Sequence, residues 1–331
     1  MQKNDYVLRI SLTSNCNLNC FYCKSKESKN QKMISFEELK EIIKSAVNAG
    51  IRKISWTGGE PTVRSDFVQL VAEAKKLGIE KQTVTTNGIL LFKYVAKLKE
   101  AGINRFNVSL DTLDKKNFKE RNGGNMDNVI KSLNECVSLY DNTKVNCVVT
   151  KDNIEEINNF IDLCESYDGK LTVRFLELVP CGEAFGHNSS MFKEEFVPVQ
   201  KIIGLLEKRG KLIPLRNEGH VPKSKYFKIT GLKGIYGVNP NLSADYHCDK
   251  EKCPKIRLNP TGYISNCTID LKYVRKISGE AFENKQRIMF ELVKEKKCRD
   301  YKGFRHKQRY YEFWRFGIKS DEVAKNIGEK N

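Results

Sequence analysis

The chain has 331 residues, 40% of them hydrophobic, enough to bury a sizeable core as one large domain or two smaller ones. It contains no run of eighteen apolar residues, and Met1-Gln2-Lys3-Asn4-Asp5 leads straight into a strand-like segment, which speaks against a membrane span or a signal peptide and for the cytoplasm. A formal charge of +17 suits phosphate-bearing partners, and eleven cysteines in a reducing compartment read as metal ligands and buried thiols, not disulfides.

From Tyr6 to about Glu177, short β-branched runs alternate with longer segments of helical period. The pattern predicts strands over 6–12, 51–57, 80–85, 104–110, 143–150 and 170–176, with helices near 35–49, 65–77, 91–101, 125–140 and 153–166. Strands separated in this way by helices describe an α/β fold with a parallel sheet of right-handed crossovers. Ser35 with Glu38 has the form of a capping box, and Ser65 and Asp66 precede the next helix. Gly50, Gly78 and Gly102 stand where helix ends want a left-handed residue. After Pro180 the rhythm changes to a polar loop, one more helix over 195–209 and scattered short strand candidates over 210–247. A second cysteine group and a basic tail follow, so the chain divides as 1–180, 181–284 and 285–331.

Three stretches carry chemistry in the first part. Cys16-Asn17-Leu18-Asn19-Cys20-Phe21-Tyr22-Cys23 gathers three thiols in one loop directly after the first strand. A structural zinc normally takes four protein ligands, whereas three soft thiolates with a position left open suit an iron–sulfur cluster; the alternative is three unpaired cysteines. Thr57-Gly58-Gly59-Glu60-Pro61 closes the second strand, its adjacent glycines letting a ligand approach the backbone closely. Thr85-Thr86-Asn87-Gly88 and Val108-Ser109-Leu110-Asp111 close the third and fourth, placing polar groups on successive strand ends.

The second cysteine set is Cys248, Cys253 and Cys267, with a predicted hairpin turning near Pro260-Thr261-Gly262 between the last two; His247 offers a fourth ligand should the site hold zinc. Cys136, Cys147, Cys164, Cys181 and Cys298 stand alone, and burial is the expectation for most of them. From Lys285 onward there are 14 Lys/Arg against 7 Asp/Glu. That tail fits an RNA-binding or other anion-binding segment, and equally a solvated helix with an aromatic packing face.

Taken together these segments resemble the radical S-adenosylmethionine (SAM) superfamily. The resemblance implies an incomplete (βα)6 barrel with a C-terminal auxiliary-cluster domain and chemistry at the C-terminal ends of the strands. It further implies that Cys16, Cys20 and Cys23 hold a 4Fe–4S cluster whose fourth iron binds SAM. On the same grounds Tyr22, Gly58, Gly59, Glu60, Thr86, Asn87 and Ser109 are the SAM-side residues, and flavodoxin or ferredoxin is the kind of electron donor required.

Within the superfamily, Arg9-Ile10-Ser11-Leu12-Thr13, Tyr226-Phe227-Lys228-Ile229, Gly234-Ile235-Tyr236-Gly237 and Cys253-Pro254-Lys255-Ile256-Arg257-Leu258 are similar to the GTP 3′,8-cyclase family of molybdenum-cofactor biosynthesis. That likeness implies a second 4Fe–4S cluster on Cys248, Cys253 and Cys267. It also implies a GTP or related purine-nucleotide site lined by Arg9, Lys53, Lys144, Arg174, Lys255 and Arg257. Cations on strands facing one cavity suit a triphosphate. The departures are Ser55 where the family has an arginine, Lys255 for another arginine, and four residues instead of two between Cys248 and Cys253. In addition, the end Ile327-Gly328-Glu329-Lys330-Asn331 lacks the family's Gly-Gly. Two other readings are a radical SAM peptide-modifying or protein-maturing enzyme with an auxiliary cluster, for which Cys298 is a further candidate ligand, and a zinc-holding nucleic-acid-binding module, which leaves the glycine turn unexplained.

Overall fold

Apolar residues at every second position build the sheet. In β1 (Val7–Ser11) Leu8 and Ile10 are fully buried, as are Ile54 and Trp56 in β2 (Lys53–Thr57) and Val84 in β3 (Lys81–Thr86). The same holds for Phe106 and Val108 in β4 (Ile103–Ser109), Val145 and Cys147 in β5 (Thr143–Val149), and Val173 and Phe175 in β6 (Leu171–Glu177). Among the polar residues on this face, Gln82 accepts a hydrogen bond from Trp56 Nε1 at 2.9 Å and donates to the Val71 carbonyl at 3.0 Å. The computed structural model describes residues 6–23, 32–179, 190–215, 224–240, 255–266 and 274–294.

The helices α1 (Phe36–Asn48), α2 (Phe67–Lys76), α3 (Val95–Ala101), α4 (Lys115–Asn122), α5 (Met126–Leu139) and α6 (Ile157–Ser166) alternate with these strands, and their buried residues join the strands' apolar side in one core. The expected Ser35 cap is present, its Oγ accepting from the Glu38 N–H at 3.2 Å. Gly50, Gly78 and Gly102 all have positive φ, as expected. Asp66 is different: it is engaged by Arg64, whose Nε lies 2.6 Å from Oδ1, and gives α2 no side-chain cap. Helix α4 has no counterpart among the predicted elements. The helix expected over 195–209 is α8 (Val199–Glu207), which begins after Pro198, and a short helix α7 (Ser190–Glu195) precedes it.

The later part of the chain extends the same sheet. β7 (Leu212–Leu215), β8 (Lys225–Ile229) and β9 (Ile235–Asn239) form an antiparallel meander whose last strand runs parallel to β6. β10 (Lys255–Leu258) runs parallel to β1, and the predicted hairpin carries it into β11 (Tyr263–Ser265), beside β12 (Arg275–Lys276). The order is β12-β11-β10-β1-β2-β3-β4-β5-β6-β9-β8-β7. The six predicted parallel strands are thus flanked by one more parallel strand at each side, and among the described residues the sheet is open, as an incomplete barrel requires. Helix α9 (Phe282–Lys294) lies against α1, where the buried Lys285 ammonium meets Glu41 at 2.7 Å. No helix among the described residues is long and apolar enough to cross a membrane.

Candidate cofactor and substrate site

The loop after β1 is gripped from two sides. On one side stands the double glycine: the Gly59 N–H donates to the Thr13 carbonyl at 2.6 Å and the Glu60 N–H to that of Asn15 at 2.8 Å. A Cβ at Gly59 would lie 2.2 Å from the Asn15 oxygen, and one at Gly58, where φ is +148°, 2.7 Å from that of Thr13. The room these glycines leave is therefore occupied by the cysteine loop itself. On the other side stands the end of α4, where the carbonyls of Asn122 and Arg121 accept from the N–H groups of Asn19 (2.8 Å) and Phe21 (3.0 Å). The Arg121 guanidinium also stacks 3.6 Å from the centre of the Phe21 ring.

Cys16 is exposed, and Cys20 and Cys23 are half-buried, with no disulfide between them. Two amides reach the sulfurs: Asn122 Nδ2 lies 3.1 Å from Cys20 Sγ, and Asn87 Nδ2 lies 3.7 Å from Cys16 Sγ. Burial, then the neighbouring Cys23 and Asp111, push the Cys20 thiol far above its ordinary value. Its ionised form therefore needs a cation beside it. Among the described residues no three Cys, His, Asp or Glu side chains close on a point as ligands of one ion do. A cubane, each of whose cysteines holds a different iron, asks for wider spacing, and the three soft donors fit one that keeps an iron free of protein.

Glu60 is wholly buried. Its Oε1 accepts from the Thr62 N–H (3.0 Å), the Thr62 hydroxyl (2.7 Å) and the Thr86 hydroxyl (2.7 Å), and its Oε2 from the Asn87 N–H (2.6 Å). Asn87 continues the chain by donating to Asn17 Oδ1 at 2.8 Å. The Tyr22 hydroxyl donates to Asp111 Oδ2 at 2.6 Å, while Asp111 Oδ1 accepts from the Val148 N–H at 2.8 Å. Burial raises the Asp111 carboxyl, against these hydrogen bonds. Ser109 is half-buried at the end of β4, in register with Asn146. The cysteine loop, the glycine turn and Tyr22, Thr86, Asn87 and Ser109 thus gather at the C-terminal ends of β1 to β4.

The sheet face opposite the apolar core is polar. Arg257, Arg9, Ser55, Thr83 and Arg105 lie side by side across β10, β1, β2, β3 and β4, with Lys255 and Lys53 flanking Val7 two residues earlier. Lys144 lies beside Asn107 and Thr172, and Arg174 beside Asn146 and Gly237. All six predicted substrate residues are half-buried. Lys53 and Lys255 sit farthest along the strands from the cysteine loop. Asn122 and Arg105 are members that the sequence reading did not single out, and Asp111 entered it only as part of the stretch closing the fourth strand. Cys248, Cys253, Cys267, His247, Cys181 and Cys298 lie outside the described residues.

A parallel α/β sheet that gathers three thiols and a carboxylate-locked glycine turn at its C-terminal strand ends defines an iron–sulfur enzyme with an iron left open to a cofactor. Residues 10–164 match the model of the Radical SAM superfamily. The GTP 3′,8-cyclase of Clostridium perfringens (strain SM101 / Type A) is 38% identical over 274 residues, covering 80% of both chains. That of Alkaliphilus oremlandii is 35% identical over 268 residues, covering 78% of this chain and 80% of the other. Among solved structures, Streptococcus suis SuiB has a TM-score of 0.59 at 18% identity, covering 87% of this chain and 66% of that one. Its SAM-bound form gives 0.58 at 20% identity, covering 80% and 60%, so this chain spans under two thirds of that structure and the likeness is one of fold. The chain belongs to the GTP 3′,8-cyclase family of the radical SAM superfamily. It is an enzyme that uses SAM and a 4Fe–4S cluster, and Cys16, Cys20 and Cys23 have the placement to hold that cluster.

Proposed function

We propose that the protein converts GTP by removing a hydrogen atom from the 3′ carbon of its ribose and joining that carbon to C8 of the purine, where the C8–N7 double bond becomes single and the unpaired electron left on the ring is matched by one electron from the donor and one proton. When bound, the cluster and SAM together supply the 5′-deoxyadenosyl radical that takes the hydrogen. The observation that carries the substrate class is the polar sheet face, where Arg9, Lys53, Lys144, Arg174, Lys255 and Arg257 all sit half-buried. Half-buried cations gathered on one face of a sheet favour a polyanionic ligand, and a triphosphate carries charge of the matching sign. In this reading the chain's own residues bind and orient the nucleotide, and the cysteine loop positions SAM above it at the strand ends.

Cys248, Cys253 and Cys267 are assigned to a second 4Fe–4S cluster on the family likeness and their spacing. A small flavodoxin or ferredoxin is the class of electron donor this chemistry asks for, and the cytoplasm is the compartment. The test is anaerobic reconstitution followed by iron counting and assay of 5′-deoxyadenosine with and without GTP. About eight irons and GTP-dependent cleavage support the proposal. SAM cleavage indifferent to nucleotides but stimulated by a peptide would replace it with a peptide-modifying activity.

A further inference from the structure

Arg105 on β4, Lys144 on β5, Arg174 on β6 and Tyr226 on β8 form a group on the polar face of the sheet. Arg174, Gly237 and Tyr226 are in register across three strands, and the glycine lets the outer two close in. A Cβ at Gly237 would stand 2.9 Å from the Tyr226 ring and 3.2 Å from the Arg174 side chain. The Lys144 ammonium lies 4.6 Å from the centre of that ring and donates to its hydroxyl at 3.2 Å.

Three cations share this volume, and none of them forms an ion pair with a carboxylate among the described residues. Burial lowers the basicity of Arg105 and of Lys144, with Arg174 pushing both the same way and Tyr226 opposing. For Tyr226 burial acts upward, but Arg174 and Lys144 outweigh it and bring the phenol below its ordinary value. Arg174 Nε is satisfied by Asn146 Oδ1 at 2.9 Å, whereas Arg105 Nε is buried with no hydrogen-bond partner. A buried guanidinium N–H without an acceptor is costly, and the cost is relieved by an anion that arrives as ligand. Arg105 also ends the row that contains Ser55, where the family carries an arginine, so it returns a guanidinium to that row two strands away.

We propose that Arg105 is a substrate-binding residue whose Nε–H, together with the Lys144 ammonium and the Arg174 guanidinium, grips a phosphate group of the nucleotide, with the Tyr226 hydroxyl steadying Lys144. The identity of the anion rests on the function proposed above. The chemistry of the subsite does not.

The test is equilibrium binding of GTP, guanosine and inorganic tripolyphosphate to the anaerobically reconstituted enzyme and to its Arg105→Ala and Arg105→Lys variants, with SAM binding measured alongside. Loss of one charge-assisted contact should weaken GTP and tripolyphosphate about ten- to a hundredfold in Arg105→Ala. Arg105→Lys should recover part of that loss, with guanosine and SAM binding unchanged in both. Should Arg105→Ala fail to fold, Arg105→Lys decides alone, by a smaller loss confined to the phosphate-bearing probes. Tripolyphosphate binding that depends on Arg105 in an enzyme that ignores GTP upholds the subsite and overturns the nucleotide reading. Equal GTP and tripolyphosphate affinities in wild type and variants, or no binding of either probe by wild type, overturns the proposal.

Discussion

Glu60 accepts the backbone N–H of Asn87 at 2.6 Å, so one buried carboxylate ties the end of β2 to the end of β3. All four donors around it point at oxygens, and Glu60→Gln would turn an NH2 group against some of them. The variant should lose about 2–4 kcal/mol of stability, read from denaturant unfolding, and SAM affinity should fall with it. An unchanged unfolding midpoint would mean that the carboxylate does not hold these strand ends together.

Gly59→Ala acts on the cysteine loop. Its methyl would lie 2.2 Å from the Asn15 carbonyl oxygen, a backbone atom that moves only if the loop moves. The expected outcome is a protein that folds but retains about four fewer irons after reconstitution, with SAM cleavage lost. Full iron content and normal cleavage would show that the loop tolerates the shift.

Asn122→Ala removes the amide 3.1 Å from the Cys20 sulfur. A hydrogen bond to a cluster cysteine favours the reduced, more negative state, so its loss should lower the midpoint potential of the first cluster by tens of millivolts at unchanged iron content. A redox titration followed by electron paramagnetic resonance gives the value, and an unmoved potential would assign Asn122 to loop packing alone.

Glu165 governs a pH dependence away from the site. Burial pushes its carboxyl up, but the Tyr236 hydroxyl and the N–H groups of Lys233 and Gly234 pull harder and leave it below its ordinary value of 4.5. A depressed carboxylate contributes stability above its unfolded pKa and loses it as pH falls through the folded one. Glu165→Gln should therefore be about 1 kcal/mol less stable than wild type at pH 7, with the gap closing in acid below pH ~4. A gap that stays constant between pH 7 and 3 would contradict this account.

What could be read from the sequence followed apolar periodicity and turn chemistry. Leu8 and Ile10, Ile54 and Trp56, and Val173 and Phe175 mark their strands because one face is buried, and Ser35 with Glu38 marks the start of α1. Helix α4 left no such trace: of Lys115–Asn122 only Phe118 and Asn122 are buried, and its signals are the Asp114 cap and the left-handed Gly123. With that helix went the clamp on Cys20 and Phe21. Arg105 was missed because a lone basic residue in a strand shows its face only through register with its neighbours. Gly58 and Gly59 were legible as a place of close approach, but the sequence pointed to a ligand there, whereas the folded loop puts the backbone of Thr13 and Asn15 against them.

The central claim is that the radical formed from SAM takes hydrogen from the ribose of GTP. The most direct measurement is anaerobic turnover of the reconstituted enzyme with GTP deuterated at the 3′ carbon, followed by mass analysis of the 5′-deoxyadenosine. The account predicts 5′-deoxyadenosine carrying one deuterium; 5′-deoxyadenosine formed without deuterium, at a rate the same with or without the nucleotide, would contradict it.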